Sequence, residues 1–216
     1  MITHGDCLGW LGAMEPDSVD ACVTDPPYGL GKPPPIADVL RAWLAGEAAE
    51  VSGGGFMGRS WDAFVPGPRY WLALFRVLKP GAHAVVFAGQ RTVDVMGIAL
   101  RLAGFEVRTL GGWAAWSGFP KSLDVSKAID REAGAVREVV GIRPRADGTD
   151  RPNAAGWSSG IGYQGNHADG RAATAPATPD AIKWEGWGTA LKPAIEPWLL
   201  VRKPISEGSI ARNVLR

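Results

Sequence analysis

The 216-residue chain is short of the residues on which catalytic assignments usually lean. Its 2 cysteines, Cys7 and Cys22, are too few and too poorly spaced for a disulfide framework or a thiolate metal site. A reduced, cytosolic chain with two small buried thiols is therefore expected. The 3 histidines, His4, His83 and His167, lie far apart with no acidic or cysteine cluster at ligand spacing, so no structural metal is expected. No apolar run approaches the roughly 20 residues of a membrane span. The start, Met1-Ile2-Thr3-His4-Gly5-Asp6, lacks the basic residues and apolar core of a secretory signal. Net charge is only +1, so phosphate contacts, if the chain makes them, must come from local patches rather than a global field.

What is present suits one α/β domain, since 46% of the residues are hydrophobic and the length allows a real core. Periodicity predicts helices over 6–14, 36–50, 66–78, 93–103 and 123–133. Strands are predicted over 19–24, 84–88, 105–116 and 197–202. Alternation of this kind implies a mostly parallel sheet with an antiparallel edge strand and crossover helices on both faces. Gly53-Gly54-Gly55 suggests a phosphate loop, but no Lys-Ser/Thr follows and no strand precedes it, which excludes a nucleotide-binding P-loop. Trp113 and Trp116 read as core or cleft walls.

The most informative residues are Asp25-Pro26-Pro27-Tyr28, which follow the apolar, β-branched run of the first strand. Two prolines end the ladder, because neither donates a backbone hydrogen bond and each fixes φ. The result is a stiff corner past the carboxyl end of a strand, where open α/β sheets bind ligands. The Asp25 carboxylate and the Pro26 carbonyl are both acceptors, matched to an amino group with two N–H donors. Tyr28 offers a ring on which a heteroaromatic base can stack, an interaction of about 1–3 kcal/mol. An ordinary strand-to-loop turn with an N-capping Asp is the alternative.

Residues 144–180 differ from the rest. The segment is rich in small and polar residues, shows no apolar period and is too long for a simple connection. It reads as a flexible insertion, or as a target-recognition loop in which Trp157, Tyr163, Asn166 and His167 meet bases and Arg145, Arg151 and Arg171 meet phosphates.

Several segments, in order, resemble the site-specific DNA methyltransferases of phages and prophages that methylate exocyclic amines. They are Asp25-Pro26-Pro27-Tyr28, Gly55 to Asp62, Trp71 to Gly81, Gly118 to Asp130, and Trp187 to Pro197. The resemblance implies a partial Rossmann-like methyltransferase sheet spanning 1–216 as a single catalytic domain. It implies transfer from S-adenosylmethionine to a base flipped out of DNA, adenine N6 favoured over cytosine N4 because Asp precedes the prolines. Asp25, Pro26, Pro27 and Tyr28 would form the catalytic corner, with Asp25 and Pro26 also touching the cofactor. Tyr28, Trp61, Lys121 and Ser122 would bind substrate, although Lys121 also reads as a surface lysine. Gly53 to Gly58 would form a flap beside Asp25. Lys192, Glu196 and Lys203 match the family's final strand, where Ile195 replaces its usual His. A cytoplasmic protein of a bacterium or an infected host is implied.

The chemistry follows from the amine, whose lone pair is delocalised into the ring. Acceptors at Asp25 and Pro26 would favour its pyramidal form and stabilise the positive charge developing on nitrogen. The base must leave the duplex stack to reach them. The Pro-Cys nucleophile of ring-carbon methyltransferases does not occur. Neither does the Asp-Pro-Phe and Gly-x-Gly pattern of the family's cofactor half. A second chain supplying that half is therefore one expectation. An inactive remnant that binds DNA or a partner chain is the alternative.

Overall fold

The computed structural model describes residues 2–49, 51, 60–114, 122–142, 172–191 and 194–215. The chain divides into two compact units, Met1–Ser117 with Ala194–Arg216, and Gly118–Pro193.

The first unit is a four-stranded sheet with helices. Strands β1 (Val19–Thr24), β2 (Leu78–Phe87), β3 (Glu106–Ala114) and β6 (Ile195–Arg202) stand in the order β1-β2-β6-β3. β1 and β2 are parallel, and β6 is antiparallel to both of its neighbours, so three strands share one direction and β6 opposes them. The antiparallel strand expected at an edge thus stands inside the sheet. Between β1 and β2 run α2 (Ile36–Leu44) and α3 (Pro68–Val77), and α4 (Val93–Leu102) links β2 to β3.

Sequence spacing explains which residues these helices bury. α3 buries Pro68, Trp71, Leu74 and Val77, a three-residue repeat along one stripe. α4 buries Val95, Met96, Ala99 and Leu100, and α2 buries Val39 and Trp43 one turn apart. They pack on one sheet face, where Cys22, Ala84 and Val201 form one cross-strand row and Thr24, Val86 and Leu199 the next. All three helices that carry buried residues in this unit contribute to that one core. The opposite face carries the row Val23, Val85, Leu200 and Thr109, in which Val23 is 75% exposed. The second helical layer expected there is not seen among the described residues.

Local chemistry moves several boundaries. The helix expected to reach residue 50 stops earlier: the cap of α2, Ala45, is followed by Gly46 at φ +76°, which ends it. β2 starts at Leu78, well before the expected 84, because Pro80-Gly81 makes an irregular step in the strand rather than a free turn. There the Gly81 amide donates to the Lys203 carbonyl. In β3, Gly111 makes room for the indole of Trp198, which lies where a Cβ would stand. Short helices α1 (Cys7–Ala13), capped by the Asp6 carboxylate, and α7 (Ile210–Val214), capped by Ser209, complete the unit.

The second unit holds α5 (Val125–Glu132), the antiparallel pair β4 (Val139–Ile142) and β5 (Ala172–Thr174), and α6 (Pro179–Lys183). Residues 144–171 of the expected insertion lie outside the described residues, and 172–180 include β5 and the start of α6. Asp130, only 1% exposed, ties this unit together. Its carboxylate accepts from the Thr178 hydroxyl (2.8 Å) and from the amides of Ala177 and Thr178 (both 3.0 Å). Arg137 Nη1 donates to it at 2.7 Å and to Ser126 Oγ at 3.0 Å. Burial alone would raise the Asp130 carboxyl, but these hydrogen bonds and the guanidinium hold it below the usual carboxylate range.

Candidate active site

The Asp25–Tyr28 corner lies in the first unit, just past the carboxyl end of β1 and beside the exit of its parallel neighbour β2. Asp25 is exposed, Pro26 is buried, and Pro27 and Tyr28 are half-buried. The chain then turns through Gly29, which is buried at φ +67°. A Cβ there would stand 3.1 Å from both Phe64 Cα and Val65 N, so glycine is required by conformation and by space.

Two buried side chains grip this turn. Asp62, 3% exposed and closing the 3-10 turn Ser60–Asp62, presents one carboxylate oxygen to two consecutive amides. The Tyr28 amide donates to it at 3.0 Å and the Gly29 amide at 3.1 Å. Thr92, 5% exposed at the start of α4, donates its hydroxyl to the Tyr28 carbonyl at 2.7 Å. The exit turn of β2 passes so close that a Cβ on Gly89 would stand 3.3 Å from Tyr28 Cβ. Gly89 therefore serves packing and leaves no open cradle for a ligand.

Tyr28 stands in an acidic, partly buried setting. Its phenol lies well above the ordinary value, first through burial, then through a hydrogen bond to the Asp25 carboxylate, and then through the charges of Asp25 and Glu196. With burial and the neighbouring Asp25 and Glu196 carboxylates all favouring the neutral phenol, Tyr28 stays protonated throughout the neutral range. Glu196 is the second residue of β6, at this same end of the sheet and opposite Trp113. Gln90 Nε2 donates to the Ile195 carbonyl at 2.6 Å, and the Ala88 amide to the Pro197 carbonyl at 2.9 Å. Those two bonds fasten the exit of β2 to the start of β6.

The other residues singled out from the sequence are distributed as follows. Trp61 is 66% exposed in the turn that Asp62 closes, so its indole belongs to the surface beside the corner. Trp113, read as a core or cleft wall, is 64% exposed. Ser122 lies in the second unit, where its hydroxyl accepts from the Ala190 amide at 3.2 Å. Lys203 sits near the start of β2 and donates to Asp17 and to the Leu78 carbonyl, away from Asp25. Lys121, Lys192, Trp116 and the Gly53–Gly58 flap lie outside the described residues. A cleft of about 410 Å³ among α1, α2 and α3, lined by Leu8, Trp43, Phe64, Val65 and Tyr70, contains no residue of the corner.

Sequence reasoning passed over Asp62 and Thr92. Asp62 stood inside a segment already matched to the methyltransferases, but nothing in its spacing says that it folds back over 34 residues onto the amide of Tyr28. A Thr directly before a helix reads as a cap, whereas Thr92 makes no side-chain bond to its own helix.

No protein-family model matches the chain, and no curated protein matches it. Among solved structures the chain is similar to TTHA0409 from Thermus thermophilus, named a candidate DNA modification methylase. In its selenomethionine crystal structure the identity is 16%, covering 97% of this chain and 56% of that chain, with a TM-score of 0.39. In a second crystal structure of the same protein the identity is 16%, covering 95% and 54%, with a TM-score of 0.40. The chain spans about half the length of that protein.

Proposed function

We propose that the chain carries the amine-binding side of a DNA methyltransferase site, acting on the exocyclic amine of a base drawn out of the duplex, adenine N6 ahead of cytosine N4. The observation that carries this reading is the corner itself: Asp25 and Tyr28 stand just past the carboxyl end of β1, with the Tyr28 peptide gripped by Asp62 and Thr92. In this reading the Asp25 carboxylate and the Pro26 carbonyl accept from the amine and stabilise the charge that grows on its nitrogen. Tyr28 supplies the plane on which the base stacks, and the bonds to its peptide groups fix where that plane stands. Exposed Trp61 offers a second ring.

S-adenosylmethionine is the methyl donor that this chemistry calls for. The carboxylates of Asp25 and Glu196 suit the neighbourhood of a sulfonium, but Gly89 is filled by packing and the described residues form no glycine cradle for the donor. The chain's own residues thus account for the amine side of the reaction, and no donor-binding step is assigned to them.

A second reading, a module that binds DNA or a partner chain without transferring methyl groups, is favoured by one observation. β1 is an edge strand, and the row of Val23, Val85 and Leu200 beside it is partly exposed, which suits addition of a further strand. Tritiated S-adenosylmethionine and DNA, with the chain alone and with any partner it captures, separate the two. We expect incorporation that Asp25→Ala lowers by a factor of about 100 or more, as for loss of a preorganised electrostatic group. Incorporation unchanged in Asp25→Ala would refute the role given to the corner.

A further inference from the structure

We infer that Asp62 is a positioning residue for the Asp25–Tyr28 corner, and that Thr92 shares the task from the opposite side. The inference rests on the amine-binding reading above and gives a role to two residues which that reading leaves without one.

The argument starts from the peptide group joining Tyr28 to Gly29. Its N–H donates to Asp62 and its carbonyl accepts from the Thr92 hydroxyl, so the two side chains hold opposite ends of one rigid plane. Asp62 also takes the preceding amide, that of Tyr28. Two consecutive N–H groups converge on one oxygen only where the backbone bends sharply, and Gly29 at φ +67° supplies the bend. The backbone on both sides of the Tyr28 Cα is thereby fixed, and with it the direction in which the side chain leaves. The ring is therefore held at its root, through the backbone that carries it.

A carboxylate as buried as Asp62 is costly to desolvate, and a helix cap or turn at this place would not require one. Its bonds go to the corner from 34 residues away, and its own turn carries Trp61. One carboxylate therefore sets the place of Tyr28 and of the turn that presents Trp61. Neither Asp62 nor Thr92 touches the reacting atoms in this scheme. They act through Tyr28.

The test uses the full chain with Asp62→Ala, Asp62→Asn and Thr92→Val. Amide exchange at Tyr28 and Gly29 is read by NMR, and kcat and KM for methyl transfer to DNA are read with tritiated S-adenosylmethionine. Asp62→Ala should speed exchange at both amides roughly tenfold or more, the effect of one lost charge-assisted bond. It should lower kcat by a similar factor while KM for DNA moves less than about threefold. Asp62→Asn keeps an oxygen in place and should recover most of both losses. Thr92→Val should speed exchange at Gly29, and it answers the question if Asp62→Ala does not fold. Unchanged exchange in both Asp62→Ala and Thr92→Val overturns the inference, as does a wild-type kcat in Asp62→Ala. So does an Asp62→Asn variant with protected amides and a kcat as low as that of Asp62→Ala, since Asp62 would then act through its charge on the substrate. Should the wild-type chain transfer no methyl group, the reading of function fails, and the exchange measurements still decide whether Asp62 and Thr92 hold the corner.

Discussion

Replacing Gly29 by alanine would place a methyl group against the backbone of Phe64 and Val65. The Cβ would stand 3.1 Å from two backbone atoms that belong to the wall behind the corner and cannot rotate away. At φ +67° the substitution also carries the left-handed penalty of about 1–2 kcal/mol. Overpacking against a fixed wall adds about 1–3 kcal/mol. The stiffer unfolded chain offsets only about 0.4–1 kcal/mol, so a net loss of about 1–5 kcal/mol is expected. Gly46 provides the control, because it has φ +76° but nothing lies within 4 Å of the place its Cβ would take. Gly46→Ala meets the conformational penalty without the contact and should lose about 0–1.6 kcal/mol. Urea unfolding at matched slope measures both. The difference between the two variants isolates the contact behind the corner. If Gly29→Ala costs no more than Gly46→Ala, the corner is not pressed on the Phe64–Val65 wall and the rigidity argued for Tyr28 fails.

Two further predictions concern titration. Tyr28 and Tyr70 are both raised, chiefly by burial and then by hydrogen bonds to Asp25 and Cys7 respectively, so the folded state keeps protons that the unfolded chain releases near pH 10. Stability should be fully present below about pH 10 and fall above it, and Tyr28→Phe should flatten part of that fall; an alkaline unfolding curve identical in the variant would refute the assignment. Asp130 is held low, so its contribution is present above about pH 4 and is lost as pH falls through its folded value. Asp130→Asn should lower the unfolding temperature at pH 7 and remove part of the acid dependence, and a variant with the wild-type acid profile would show that the Arg137 cluster does not fasten α5 to β5 and α6.

The regular elements were legible where one face is buried and the period is clean. The stripe Trp71, Leu74 and Val77 shows α3 directly, and the apolar run 84–88 shows the covered part of β2. What could not be read were the pieces whose order comes from distant partners. β5 is three residues long and exists by pairing with β4, and α6 is held by Thr178 capping and by Asp130 far upstream. The interior place of β6 is likewise a matter of topology. Its sequence fits an edge or a centre equally, and it lies between β2 and β3 because the chain returns there after the second unit.

The candidate site divides along the same physical line. Asp25-Pro26-Pro27-Tyr28 announces itself because proline restricts the backbone locally, and no distant residue is needed to make the corner stiff. Stiffness alone does not aim a side chain, however. Proline sets φ at positions 26 and 27, while the orientation of Tyr28 depends on its own peptide planes, and those are held by Asp62 and Thr92. Each of these residues is polar and solitary, a pattern that sequence spacing does not distinguish from a surface position. Burial distinguishes them: a carboxylate at 3% and a hydroxyl at 5% exposure persist in a core only with partners, and their partners here include the two ends of one peptide. A motif of this kind therefore states what chemistry a corner can perform, and the buried polar residues behind it state which way the corner faces.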